Sequence, residues 1–147
     1  SYYDEWYKKG PDIHRSIGVL LFFALLFRVF WRVTNVTPQD EPGIASWQAR
    51  IAHGVHILLY LLLFAMVVSG YLISTADGRP VDVFGWFEIP AVISLNIENL
   101  EDKAGAVHWY LALLMAGFVA LHALAALKHH FINRDRTLKK MLGIDPK

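Results

Sequence analysis

Cysteine is absent from this chain of 147 residues, and charged residues are few. Without a thiol, the chain excludes c-type haem attachment, thiolate zinc sites, iron–sulfur clusters and disulfides. Charged residues make up 18% of the sequence, whereas hydrophobic residues make up 55% and aromatic residues 14%. That balance is more apolar than is usual for a soluble domain. Apart from carboxylates, the seven histidines are then the strong transition-metal ligands that remain.

Three long apolar runs dominate the chain, and they cover Ser16–Val33, Val55–Ile73 and Val107–Leu127. Each is close to the roughly 20 residues that a helix needs to cross a bilayer. A soluble helix of that length would carry a polar face, and these runs have none. The pattern predicts an all-α transmembrane bundle and a single membrane domain, with spans at approximately 14–33, 53–73 and 107–128 and an outer loop at 76–106.

The charges that flank the runs predict the orientation. The tail from Lys128 onward carries six Lys or Arg residues against two acidic ones, whereas Asp77–Lys103 carries two basic and six acidic residues. Cytoplasmic loops are enriched in Lys and Arg. We therefore expect a multi-pass membrane protein with a cytoplasmic C-terminus. Because the chain starts with serine, we also expect the gene product to extend further towards the N-terminus.

Two segments between the runs carry their own signals. The outer loop is apolar in part and is typical of a segment lying on the membrane or covering a site beneath it; an aromatic belt with no site under it is the alternative. Two prolines in the inner loop, Pro38 and Pro42, predict a turn there. The apolar residues of the outer loop are Val83, Phe84, Trp86, Phe87, Ile89 and Pro90.

Two histidines of the third run are spaced for metal binding on one helix face. His108 and His122 are 14 residues apart. That spacing returns to nearly the same face of an α-helix about 21 Å further along its axis. His14 lies at the outer end of the first predicted helix, at the depth of His108, so the two can meet across a porphyrin. Ionisable residues within a membrane are costly and often functional. The pattern is the one that two stacked haems in a bilayer would require.

Other residues of the runs have a functional and a plain interpretation. Arg28 lies 14 residues after His14 and can pair with a haem propionate or a quinone head-group. The plain alternative is that Arg28 and Arg32 are interfacial arginines obeying the charge rule. Gly18 leaves flat space for a macrocycle edge. Gly70 and Gly117 can do the same; the alternative is that these two glycines only allow helices to pack closely. The remaining histidines are His53 and His130, which we interpret as interfacial, and His56 and His129, for which both interpretations stay open.

Three segments together resemble the bacterial cytochrome b561 family, which groups with the cytochrome b subunits of nickel–iron hydrogenases. They are "DIHRSIGVLL…FRVFWR", "AHGVHILLYLLLFAMVVSGYLISTADGRPVDVFG" and "AVHWYLALLMAGFVALHALAALKHHF". The resemblance implies a protein of the bacterial inner membrane with four spanning helices, two b haems with bis-histidine ligation and electron exchange with quinones such as ubiquinone. One branch of the family looks like a superoxide:quinone oxidoreductase.

Carried over by motif, the resemblance implies that His14 and His108 ligate the outer haem and His122 the inner one. The sequence departs from the family pattern because the first helix, with the histidine that pairs with the counterpart of His122, is missing. We expect the chain to be a fragment whose full-length form holds two haems; the alternative is that the inner haem is lost or that His56 replaces the missing ligand. The chain itself would then hold one haem or two.

The sequence therefore favours a haem b electron-transfer protein that works with the quinone pool. No metal other than the haem iron is assigned, and no catalytic residue. A close alternative is the membrane anchor of a larger dehydrogenase or hydrogenase. A third class, a non-redox transporter using the histidines, is disfavoured because the three apolar runs contain no acidic residue. Expected partners are membrane lipid, a quinone and a soluble or periplasmic redox protein, with a homodimer as an alternative and no nucleic acid.

Overall fold

Three long helices carry the fold in the computed structural model, which describes residues 5–36, 45–93, 95 and 97–132, without the side chain of His129. They are α1 (Glu5–Thr34), α2 (Ser46–Thr75) and α3 (Leu100–Phe131). Each is long and apolar enough to cross a membrane. The predicted all-α transmembrane class is confirmed. The inner-loop prolines and the basic tail beyond Ile132, on which the turn and part of the orientation were predicted, lie outside the described residues.

The helices extend further at both ends than the predicted spans. α1, for example, begins at Glu5 rather than near residue 14, and α2 begins at Ser46 rather than near residue 53. An apolar run reports only the part of a helix that matches the hydrocarbon core. Backbone hydrogen bonding continues into the polar flanks, because an α-helix satisfies its own N–H and C=O groups wherever it runs.

α2 is the central helix of the bundle. Both α1 and α3 pack against it, whereas α1 and α3 do not pack directly on each other in the part of the chain that the structure describes. Residues near 70 on α2 meet residue 108 on α3, and residue 56 meets residue 122, so α2 and α3 run antiparallel in constant register. α1 and α3 therefore face one another across a space on one side of α2.

Hydroxyl groups in the second half of α2 are satisfied by their own helix. Ser69 donates to the carbonyl oxygen of Met66 at 2.8 Å, and Thr75 donates to that of Tyr71 at 2.8 Å. Bonding back to the carbonyl three or four residues earlier lets Ser and Thr occupy an apolar helix without an unpaired donor. Ser69 and Thr75 are both buried.

A short β-hairpin follows α2 and was not predicted from the sequence. Strands β1 (Val81–Val83) and β2 (Phe87–Ile89) pair antiparallel, with Val83 opposite Phe87. The two turn residues, Phe84 and Gly85, have φ of 54° and 70°, and the Trp86 N–H donates to the Val83 carbonyl at 2.9 Å. Positive φ at both positions is the mark of a type I′ turn. Three residues, Phe84–Trp86, lie between the paired Val83 and Phe87. The predicted loop 76–106 thus contains this hairpin and the first turns of α3.

The hairpin is docked on the end of the bundle where α1 begins, which we call the hairpin end. Val83 is fully buried and Val81 nearly so, whereas Trp86 is exposed. The buried Ser16 hydroxyl of α1 accepts the Phe84 N–H at 3.1 Å and donates to the Asp82 carbonyl at 3.4 Å. This segment therefore covers the hairpin end of α1. The other end, where α1 and α3 end and α2 begins, is called the tail end below.

Candidate metal centres between the helices

At the hairpin end, α1 and α3 bring two histidines face to face. The ring centroids of His14 and His108 are 6.0 Å apart, and the ring planes are at 84°. Two imidazoles sharing one metal, each with a metal–nitrogen bond of about 2 Å, have centroids roughly 6 Å apart. We call His14 and His108 the hairpin-end pair. The prediction from the sequence that these two residues share one depth agrees with this geometry.

The ring of His108 is held by α2 through its Nδ1 atom. Nδ1 lies 3.0 Å from the Ser69 Oγ and 3.1 Å from the Met66 carbonyl oxygen. A carbonyl oxygen can only accept a hydrogen bond, so we assign the proton to Nδ1. Nε2 is then the unprotonated nitrogen. This is the tautomer that a metal-ligating histidine needs.

The surroundings of the hairpin-end pair fit a flat group between α1 and α3. Because these two helices do not pack on each other among the described residues, the pair stands in the space between them. A side chain at Gly18, one turn after His14, would meet nothing within 4 Å. Gly70 has a different role, since an added Cβ would lie 3.2 Å from the His108 Cε1. Gly18 leaves open space, as predicted, whereas Gly70 allows close packing of α2 on the histidine.

At the tail end, His56 of α2 lies against His122 of α3. Their centroids are 5.2 Å apart and the ring planes are at 71°. We call these residues the tail-end pair. Both rings are partly buried, and their helices pack directly on each other. His56 lies opposite His122 just as Gly70 lies opposite His108. The two levels are 14 residues apart on both of these antiparallel helices.

Two arginines of α1 converge on one tyrosine of α2 near the tail end. The Arg28 Nε donates to the Tyr60 hydroxyl at 3.0 Å, and the Arg32 guanidinium carbon lies 5.9 Å from the Tyr60 ring centroid. The first contact is a hydrogen bond and the second is at the limit of a cation–π contact. Arg28 keeps its terminal nitrogens available. Tyr60 is one turn after His56, so these cations lie close to the tail-end pair.

Charges at the rim of the hairpin end are paired. Arg15 forms an ion pair with Asp12 on α1, and Arg79 pairs with Asp77 after α2. The side-chain hydrogen bond from Arg79 lowers the pKa of the Asp77 carboxyl below its ordinary value. Both side chains of this pair are solvent-exposed, so the pair contributes little to stability. Among the described residues, none of these four side chains forms a hydrogen bond with either histidine pair.

Several residues at these sites have no signal in the sequence. Ser69, the Met66 carbonyl and Tyr60 act through contacts between helices, and single residues in an apolar run do not reveal which neighbour they meet. The signal that could have identified such a residue is its spacing from a histidine, either 14 residues or one helical turn. His53 is exposed, and the ring of His130 packs on Phe131 with centroids 4.8 Å apart, so neither joins a histidine pair.

Two ligands at each site suit a metal that brings its own equatorial ligands. Among the described residues no group of three or more His, Asp or Glu side chains could hold a metal ion. A structural zinc site normally needs four protein ligands and a catalytic one three. A haem iron needs at most two, because the porphyrin supplies four. The residues of the hairpin-end pair therefore fit an axially ligated haem.

Comparison with known proteins gives a consistent result. A model of the family described as "Prokaryotic cytochrome b561" matches residues 1–143. "Cytochrome b561 homolog 2" of Escherichia coli strain K12 is 50% identical over 97% of this chain and 76% of its own length. "Probable superoxide oxidase CybB" of Yersinia pestis is 31% identical over 95% of the chain and 77% of its own length. "Cytochrome b561 homolog 1" of Escherichia coli strain K12 is 26% identical over 93% and 81%.

Proposed function

The chain belongs to the prokaryotic cytochrome b561 family, and from this premise we propose that it moves electrons between the quinone pool and a redox partner at the hairpin end. Membership makes it a haem b-binding membrane electron-transfer protein. When bound, haem b supplies reversible one-electron chemistry at its iron. The following paragraphs derive what the residues of the chain contribute.

The hairpin-end pair carries the proposal. His14 and His108 would hold one haem between them, as their 6.0 Å centroid separation across the space between α1 and α3 allows. A haem held by two histidines would suit electron transfer better than oxygen binding. The Nδ1 contacts of His108 support this role, because they leave Nε2 as the unprotonated nitrogen that can bind a metal.

His122 is the proposed ligand of a second haem at the tail end. It lies on the face of α3 that carries His108, about 21 Å further along the helix. His56 is the nearby candidate for its axial partner. Direct packing of α2 on α3 leaves no width for a macrocycle between these helices, and the 5.2 Å separation is shorter than that of the hairpin-end pair. We therefore infer that His56 would lie beside a haem held by His122 and would not take part in holding it.

The residues around Tyr60 suit the head-group of a quinone or a haem propionate. Arg28, oriented by its hydrogen bond to Tyr60, presents its terminal nitrogens to an anionic or carbonyl oxygen. His56, one turn away, places beside this cation an imidazole, a group that can both accept and donate a proton. Quinone reduction takes up protons, so a cation beside a proton donor is the arrangement that this chemistry needs. Ubiquinone is the member of the class proposed here.

Haem counting on histidine variants tests the proposal. Purified wild-type protein should give the reduced-minus-oxidised spectrum of a low-spin b haem, with haem content measured as the pyridine haemochrome. His14→Ala and His108→Ala should each remove the same low-spin signal. His53→Ala, an exposed histidine outside both pairs, is the matched control and should keep it. If both pair variants retain the wild-type spectrum and haem content, the ligand assignment is wrong.

Superoxide is a second candidate for the electron donor at the hairpin end. It rests on the name of the Yersinia pestis relative, a probable superoxide oxidase, at 31% identity. Oxidation of two superoxide ions to dioxygen releases two electrons, which together with two protons would reduce one quinone to the quinol. An enzymatic source of superoxide should then reduce the haem, and superoxide dismutase should abolish the reduction. A soluble dehydrogenase subunit that copurifies with the chain would favour the anchor alternative.

A further inference from the structure

We infer that Ser69 is a positioning residue that, with the carbonyl oxygen of Met66, fixes the orientation of the His108 ring and sets the reduction potential of the hairpin-end haem. The inference rests on the proposed ligand role of His108. Ser69 itself makes no contact that would ligate iron. It acts through the hydrogen bonding of the imidazole.

Ser69 and Met66 form an acceptor cradle for the Nδ1–H of His108. The Ser69 hydroxyl donates a hydrogen bond to the Met66 carbonyl oxygen at 2.8 Å. Its own oxygen then accepts the hydrogen bond from Nδ1 at 3.0 Å. The Met66 carbonyl lies 3.1 Å from the same Nδ1. One N–H is thus shared between two oxygens. The directions of the two acceptors determine both the tautomer of His108 and the rotation of its ring.

Among the described Ser and Thr residues of α2, Ser69 is distinguished by its contact with a histidine of another helix. Ser74 also donates to a carbonyl of its own helix, that of Gly70, at 2.9 Å. A back-bonded hydroxyl therefore needs no histidine to be satisfied. Ser69 is only 5% exposed and has its lone pairs directed at a histidine from a different helix. A purely structural serine would not require that contact.

Gly70 allows the His108 ring to approach α2 closely enough to reach the two acceptor oxygens. A Cβ at position 70 would stand 3.2 Å from the His108 Cε1 and 3.5 Å from its Nδ1. Any larger residue would push the ring away from α2. Ser69 and Gly70 together therefore let α2 support the imidazole of His108 at close range.

Hydrogen bonding at Nδ1 changes what the imidazole donates to iron. An acceptor at this N–H makes the ring a more basic ligand. A more basic ligand stabilises ferric iron over ferrous iron and lowers the reduction potential. Loss of the Ser69 oxygen should therefore raise the potential of this haem.

Potentiometric titration of the haem-loaded protein tests the inference, using Ser69→Ala and its matched control Ser74→Ala. We expect the midpoint potential of the haem ligated by His108 to rise in S69A and to stay at the wild-type value in S74A. The electron paramagnetic resonance spectrum of the oxidised haem should shift or broaden in S69A alone, because the ring is less firmly oriented. Equal potentials and spectra in S69A and S74A would overturn the inference.

Gly70→Ala provides a second test that removes no hydrogen-bonding group. Its added methyl should displace the His108 ring and alter the same spectrum; if S69A loses haem, an unchanged spectrum in G70A overturns the inference. His108→Ala, measured in parallel, separates the two levels of the argument. If H108A keeps the low-spin signal, the proposed function fails, whereas loss of the signal in H108A with unchanged S69A and G70A defeats only the role of Ser69.

Discussion

At the scale of single residues, the neighbours of each histidine determine its chemistry. His108 has both a ring partner on α1 and two oxygens on α2, so its tautomer is defined. His122 has His56 opposite it on α2, whereas His108 has Gly70 at the corresponding position. His53 is exposed and lies outside both pairs. The histidines of this short chain thus differ in their capacity to bind a metal.

The role assigned to His56 leads to a prediction about haem content. The 147-residue chain should hold one haem firmly and the second weakly or not at all, because His122 lacks a trans ligand from α2. His56→Ala should leave the content of firmly bound haem unchanged, whereas His122→Ala should abolish any second haem. Pyridine haemochrome counting per protein, before and after gel filtration, measures both.

The opposite outcome is equally clear for this prediction. Two firmly bound haems in the wild-type chain, with one lost in H56A, would make His56 the axial ligand of the second haem. The argument from the packing of α2 on α3 would then be wrong.

At the scale of elements, the hairpin links the loop after α2 to the metal-binding end of α1. Ser16 lies two residues after His14 and exchanges hydrogen bonds with both Asp82 and Phe84. α1 is held by this hairpin as well as by α2. Tyr71 secures the chain beyond β2, since its hydroxyl donates to the Pro90 carbonyl and accepts the Val92 N–H, both at 2.8 Å. The position of His14 therefore depends on a segment that contains no metal ligand.

The turn of the hairpin gives a prediction about stability. Gly85 has φ of 70°, a conformation that costs other residues about 1–2 kcal/mol. Gly85→Ala should therefore lower the midpoint of thermal unfolding in detergent, followed by the Soret absorbance of the bound haem. Gly10→Ala is the matched control, because Gly10 lies within α1, has no positive φ and would meet nothing within 4 Å. A midpoint for G85A at or above that of G10A would contradict the role of the turn.

At the scale of the whole molecule, three crossings put the two ends of the bundle on opposite sides of the membrane. The three helices are each long enough to span it, and the residues before α3 are acidic while those after Lys128 are basic. The hairpin end should then face outwards and the tail end the cytoplasm. Electrons exchanged at the two histidine pairs would enter and leave on different sides.

Topology can be measured with reporter fusions. A reporter joined at Glu98, between the hairpin and α3, should give the signal of the outer compartment. The same reporter at the C-terminus should give the cytoplasmic signal. Finding both reporters on one side would contradict the arrangement of three crossings.

Much of the fold and part of the site were predictable before the structure. The apolar runs predicted three helices, and the 14-residue spacing of His108 and His122, with His14 at the same depth, predicted a shared face and a facing partner. The hairpin was missed because its strands are three residues long and its turn begins with Phe84, an unusual residue at positive φ. Ser69 and Tyr60 were missed because their partners lie on other helices.

The sequence by itself determined the class of this protein, because a bilayer accepts few structures and makes every ionisable residue within it costly. Composition, run length and histidine spacing are local quantities that a linear chain displays. The tertiary structure decided which histidine meets which: His14 faces His108 across a gap, whereas His56 lies against His122 between helices in contact. The difference arises because α2 packs on both neighbours while α1 and α3 stand apart, and this arrangement depends on contacts between helices that no single run contains.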